Sequence, residues 1–461
     1  MRFFLVPLLG LLATSQALAV EVDFEGYTRA RARLFDDLSL DRSLANAEGT
    51  TAYVQHRLWL KPRFLINDHL AVFTEFRGLD GVMWGENPSA GWDPVSGTAY
   101  DPMFSDDLAP PLSAGTSSEV AWDAAGSLSG FALWRAWGEV DTDYGRFAFG
   151  RMPLHWGMGI WQNDGQGLTS EYGDTVDRLQ WQKVIDDVWV QLAVDVNDAG
   201  QPYRRDDTWS ANAAVGYRAE KLKVGLNTQL RRGSDPGFTL FTGDGALDLT
   251  AGNLRVQAEV LGQTGGGDLS TGANGVQLSA YGSALDVGLH SPSLGLGLAA
   301  GFASGDRDDT DENMHTFRFD PDYDVGVILF EQPMPVLQAV AITDENGGRS
   351  YDQTLIGPQV SNAIFLKPRV WKEVHEGVEV EGSVLWARTA AIPEDWGARS
   401  TYGVELAGTV RLHAWDHLEL QGSGAAFLPG TYFSGYADTE AGYEHFDQPV
   451  YGAQVLSKID F

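Results

Sequence analysis

The 461-residue chain contains no cysteine. Disulfides, thiolate metal sites and cysteine nucleophiles are therefore excluded. Long apolar runs are missing as well. Beyond the N-terminal segment, no stretch approaches the ~20 consecutive apolar residues that a membrane-spanning helix needs. Basic residues are scarce, with 32 Lys+Arg against 63 Asp+Glu and a net charge of -31. Such a surface repels polyanions, so a DNA or RNA partner is excluded. No phosphate-cradling glycine loop, zinc-helix motif or dinucleotide fingerprint stands out.

What is abundant is glycine, at 54 residues, and aromatics, at 15 Trp, 15 Tyr and 22 Phe. The chain opens on a processing signal. Arg2 is followed by the apolar run "FFLVPLLGLLATS", and "ALA" at Ala17 to Ala19 fits a cleavage site. Residues 1–19 are expected to be a secretory signal peptide. Residues 20–461 are expected to be one domain.

Period-2 alternation dominates that domain. Val188, Val190, Leu192, Val194 and Val196 alternate with Trp189, Gln191, Asp195 and Asn197. Leu254, Val256, Ala258 and Val260 alternate with Arg255, Gln257 and Glu259. The pattern predicts eighteen strands, from 22–35, 51–65 and 69–79 at one end to 417–428 and 447–461 at the other. Sixteen and twenty are the neighbouring counts. The connections alternate strictly between short turns and long segments, the latter including 80–127, 157–173, 305–358 and 429–446. Short turns on one rim and long loops on the other mark an antiparallel up-and-down transmembrane β-barrel. Lipid satisfies no open sheet edge, so the sheet must close. The expected location is the outer membrane of a Gram-negative bacterium.

"YTRARARLF", Tyr27 to Phe35, puts Arg29, Arg31 and Arg33 on one side of the first strand. A Lys or Arg facing lipid near the midplane costs about 2–4 kcal/mol. Three on one strand are therefore expected to face the lumen. The same register makes Arg57, Lys61, Arg63, Arg77, Arg135, Arg151, Arg178, Lys367 and Arg369 pore-lining. Lumen acids such as Glu75, Glu139, Glu259, Glu379, Glu381, Glu405 and Glu419 offer them partners. The arginines thus form a salt-bridge ladder, a strip that draws anions into the pore, or both.

The last strand places Tyr451, Ala453, Val455, Ser457, Ile459 and the terminal Phe461 on one face. This ending resembles the insertion signal of outer-membrane barrels, and Phe461 is expected to be read by the barrel-assembly machinery. "YGRFAFGRMPLHWGMGI", Tyr144 to Ile160, resembles the "GxxxxGR" turn-strand element of porins, which implies that Gly150 packs tightly and Arg151 faces the lumen. "YGDTVDRLQW" from Tyr172, "FASGD" at Phe302 and "FRFDPDYDVGVILFE" from Phe317 resemble a family of large myxobacterial outer-membrane proteins. That family is similar in layout to the eighteen-stranded alginate-export porins. The resemblance implies a porin-like barrel and names no substrate.

Segment 80–127 has no Lys or Arg, and segment 305–358 carries twelve acids against Arg307, Arg318 and Arg349. Outer-membrane lipids and lipopolysaccharide are the expected neighbours of such loops. Segment 80–127 suits an ordered loop that folds into the pore. "DVGVILFEQPMPVLQAVAI" is apolar enough for a short helix in the lumen or a further hairpin. Asp306, Asp308, Asp309 and Asp311 form an oxygen-rich cluster that suits Ca²⁺, although a solvated acidic loop is the plainer reading and no other cofactor is implied. For catalysis, His155 near Asp164 is the nearest candidate, and nothing joins them to a nucleophile. The expected function is an outer-membrane porin for small polar or anionic solutes. The alternatives are a plugged structural or recognition barrel and, behind it, an outer-membrane hydrolase.

Overall fold

The structure is a computed structural model. It describes residues 20–36, 38, 40, 49–79, 131–198, 207–234, 237–268, 275–291, 294–307, 311–332, 334, 359–392, 400–433 and 447–461, with backbone alone for 80–85, 91–92, 99–100, 340–343 and 349–352. The proposed signal peptide, most of segment 80–127, and Asp308 and Asp309 lie outside the described residues.

Eighteen antiparallel strands of 9 to 18 residues close into a barrel. They are β1 (Glu21–Asp36), β2 (Thr50–Asn67), β3 (Leu70–Gly85), β4 (Ala132–Thr142), β5 (Gly145–Pro153), β6 (Thr175–Ile185), β7 (Val188–Asp198), β8 (Thr208–Arg218) and β9 (Leu222–Ser234). The second half comprises β10 (Gly237–Ala251), β11 (Leu254–Gly267), β12 (Val276–Leu289), β13 (Gly295–Ala303), β14 (Ala363–His375), β15 (Val378–Thr389), β16 (Thr401–Ala414), β17 (Leu418–Pro429) and β18 (Val450–Asp460). Each strand pairs with its sequence neighbours, and β1 closes on β18 from Tyr27↔Asp460 to Asp36↔Tyr451. Closure leaves no barrel edge unpaired.

The wall is apolar outside because alternate side chains point outward. Phe24, Leu34, Leu192, Val194, Leu226, Val260, Val455 and Ile459 are all exposed on it. A belt of this kind is stable against lipid tails and not against water. Phe461 extends the belt. It exchanges backbone hydrogen bonds with Gly26 at 3.0 Å and stacks on Phe24. The ring lies where a Gly26 side chain would be, 2.7 Å from an added Cβ.

The core sits inside the barrel. Phe35, Val276, Leu278, Phe317, Phe319, Ile328, Phe330, Tyr402, Phe427 and Val450 bury together. Two long connections supply the filling. The first infold is 154–174, between β5 and β6. The second comprises the described residues 304–307, 311–332 and 334, between β13 and β14. In the described part of the apolar stretch, 324–332, there is neither the expected lumen helix nor a further barrel strand. Residues 325–332 are a tight turn closed by Glu331, which accepts from the amides of Val325 and Gly326. Val340–Thr343 pairs with Arg349–Asp352 in a separate two-stranded ribbon, so the barrel count stays at eighteen.

Candidate functional site: the fastened lumen

Strands β1 to β4 present cations to the lumen, and the first infold turns its carbonyls toward them. Arg29 donates to Leu168 O and Ser170 O, both at 2.8 Å. Arg31 donates to Thr169 O at 2.9 Å and pairs with the Glu171 carboxylate. Arg33 reaches the same carboxylate at 3.1 Å and the Tyr53 hydroxyl at 3.0 Å. Arg57 holds Ser170 O and Glu171 O, Lys61 holds the Gln166 amide oxygen, and Arg77 holds Tyr172 O. Arg77 also lies between two indoles, 4.2 Å from the Trp59 ring and 4.1 Å from Trp134. Arg135, fully buried, spans Glu75, Thr175 and the carbonyls of Asp164 and Asp174. On β1 and β2 the arginines Arg29, Arg31, Arg33 and Arg57 thus meet mainly main-chain carbonyls and one loop carboxylate, and Arg135 adds a pair with the wall glutamate Glu75. A buried guanidinium with several acceptors is stable where a bare one is not.

The remaining sites divide. Arg63 pairs with Asp23 near the inner mouth. Arg178 makes a bidentate pair with buried Asp195 at 2.7 and 3.0 Å. Lys367 holds Val325 O of the second infold, and Arg369 pairs with Asp286 beside Trp371. Arg151 is a correction. It shares a side of β5 with exposed Phe147 and Phe149, so it faces outward, while Gly150 faces in. Its charge is met by a bidentate pair with Asp177 on β6, two residues from the outer end of β5. Of the proposed calcium ligands, Asp306 accepts from His315 N and Asp311 from Asn313, so both cap turns of the loop. No group of metal-ligating side chains occurs among the described residues. His155 Nδ1 lies 3.6 Å from Asp164, with an exposed imidazole and a half-buried carboxylate, both in the first infold.

The second infold is held by the opposite chemistry. Glu405 of β16 accepts from the amides of Val327, Ile328 and Leu329 at 2.8, 3.0 and 2.8 Å. Asp322 accepts from the amides of Glu171, Tyr172 and Gly173 and so ties the infolds to each other. These acids were not singled out as site residues by the sequence pattern. The spacing in "FDPDYD" was the available signal. Burial pushes Asp174 up to about 7, aided by the charge of Asp322 and opposed by the Asn163 amide and Arg135. Burial also raises Asp320, which shares a hydrogen bond with Asp174, and Asp322. Glu331 is raised by burial and by Asp324.

Beneath the first infold, between Trp156 to Met158 and the wall from β6 to β11, lies a cavity of about 420 Å³. Arg218 and Lys223 stand side by side on its inner rim. Among the described residues, neither side chain has an ion-pair or hydrogen-bond partner.

No protein-family model and no curated protein matches the chain. Solved structures do. OccK9 (OpdG) of Pseudomonas aeruginosa superposes with a TM-score of 0.54 at 12% identity, over 96% of this chain and 98% of that one. OccAB1 of Acinetobacter baumannii gives 0.54 at 10%, over 97% and 99%. OccK2 (OpdF) of Pseudomonas aeruginosa, in complex with glucuronate, gives 0.50 at 10%, over 95% and 98%. The likeness is one of fold. The myxobacterial and alginate-export resemblance rests on the quoted residues alone.

Proposed function

We propose that the chain is an outer-membrane channel that passes small polar or anionic solutes through a constricted lumen. One observation carries the reading. Two infolded segments narrow the barrel without consuming every cation, and Arg218 and Lys223 remain unpaired over the 420 Å³ cavity. Two adjacent cations, with Asp248 opposite Lys223 on the next strand, leave positive potential in a narrow passage, which favours anions over cations. The neighbour solved with glucuronate, a small carboxylate, supports the same class of solute. The likeness to Occ barrels and the unshared His155–Asp164 pair support a channel over a hydrolase. The outer apolar belt supports residence in an outer membrane, with lipid and lipopolysaccharide as neighbours and the Phe461 strand as the assembly signal.

Planar-bilayer recording on the purified barrel tests this. Discrete conductance steps with an anion-selective reversal potential are expected. A cation-selective potential would overturn the anionic part. A second reading, a plugged barrel acting through its outer loops, is favoured by the apolar cluster within the lumen. The absence of any conductance step would leave that reading alone.

A further inference from the structure

Asp322 ends in a socket of three main-chain amides. Its Oδ1 accepts from Glu171 N at 2.6 Å and from Tyr172 N at 3.1 Å. Its Oδ2 accepts from Gly173 N at 2.6 Å and from Tyr172 N at 3.2 Å. Successive N–H groups converge where the chain turns through a left-handed residue, and such nests bind anions. Gly173 supplies that turn with φ 84°, and a Cβ there would stand 2.7 Å from Asp164 O. The carbonyls of the same stretch face cations, Glu171 O on Arg57 and Tyr172 O on Arg77. These peptides therefore carry guanidinium at one end and carboxylate at the other, and each contact polarises the next. The socket is built wholly from the first infold and the wall. Its occupant comes from the second infold.

We propose that the amides of Glu171, Tyr172 and Gly173 form a binding site for a carboxylate or similar small oxyanion, that Asp322 occupies it as a built-in stand-in, and that an entering anion displaces Asp322 and unties the second infold from the first. The untying step rests on the channel reading above. The socket does not.

Hydrogen exchange on the purified full-length barrel tests the socket. In Asp322→Ala, the amides of 171–173 are expected to lose protection by at least about tenfold, the scale of one lost bond to a charged group. Sodium acetate, exchanged for sodium chloride at equal ionic strength, is expected to restore that protection by filling the vacated socket. Asp177→Asn, on the outer wall, is expected to leave these amides unchanged and so controls for general loosening. Unchanged protection in Asp322→Ala would overturn the proposal, as would lost protection that acetate fails to restore. Bilayer recording separates the two layers of the argument. Longer open intervals in Asp322→Ala, and in the unaltered chain when acetate is added, support displacement. Equal intervals in the two chains would overturn it. No conductance from either chain sinks the channel reading, and the exchange result still decides the socket.

Discussion

Asp174, Asp320 and Asp322 occupy the junction where the two infolds meet. Their raised pKa values make the junction sensitive to pH, and the sign follows from linkage. Burial lifts Asp174 to about 7 from an ordinary 3.8, so the docked carboxyl holds a proton that an undocked one has released. Docking is at full strength below about pH 4 and weakens as pH rises through about 7. Asp320, also raised, pushes the same way, and Arg135 opposes it, while the amides on Asp322 favour its ionised form. Amides of the first infold, corrected for intrinsic rates, should exchange faster at about pH 8 than at about pH 5. A flat profile would contradict this. Glu405 makes a second prediction at the same scale. Its carboxylate accepts three amides, and hydrogen bonds to a charged group are each worth about 1.5–3 kcal/mol. Glu405→Gln should expose amides 327–329 to exchange by tenfold or more while the barrel strands stay protected.

At the level of elements, β1 is both wall and fastener. Replacing Arg29, Arg31 and Arg33 together by Gln removes the donors that hold Leu168 and Thr169 and one of the two on Ser170. Single-channel conductance is expected to rise as the first infold leaves the lumen. A change of ion selectivity at constant conductance would show that the infold is held elsewhere. Deleting Phe461 removes the stack on Phe24 and the paired bonds to Gly26. Folding into lipid vesicles, followed as heat-modifiable mobility on gels, should fall several-fold. The strands themselves were legible because one apolar face per strand leaves a period of 2 that tolerates little else. The start of β10 is not legible, because Phe238, Thr239, Leu240 and Phe241 are apolar or small on both faces there. Arg151 faces out with Phe147 and Phe149 and not inward as the register and the porin-like motif imply, because those two aromatics take the lipid side of β5. The pairing of Arg135 with Glu75 and of Arg411 with Glu379 and Glu381 follows from lumen acids visible in the sequence, but the partners of the arginines on β1 and of Arg57 do not. A carbonyl acceptor on a loop more than a hundred positions away leaves no trace in side-chain identity.

For the whole molecule, the net charge of -31 and the anion-favouring lumen proposed above are compatible, because net charge sums over places that a solute in the lumen does not sample equally. Among the described residues, acids such as Asp68, Asp143, Asp186, Asp187 and Glu220 lie exposed at turns, where salt screens them. Arg218→Gln with Lys223→Gln should move the reversal potential toward cation selectivity without closing the pore. The anion preference of the unaltered chain should shrink between 0.1 M and 1 M salt, where the Debye length falls from about 10 Å to about 3 Å. The sandwich of Arg77 between Trp59 and Trp134 has a further use. The same guanidinium holds Tyr172 O, so departure of the first infold frees it from one of its anchors and disturbs two buried indoles. The barrel thereby carries an intrinsic optical reporter. Tryptophan emission, compared between the unaltered chain and a Trp59→Phe chain, reads the state of the infold without any attached dye.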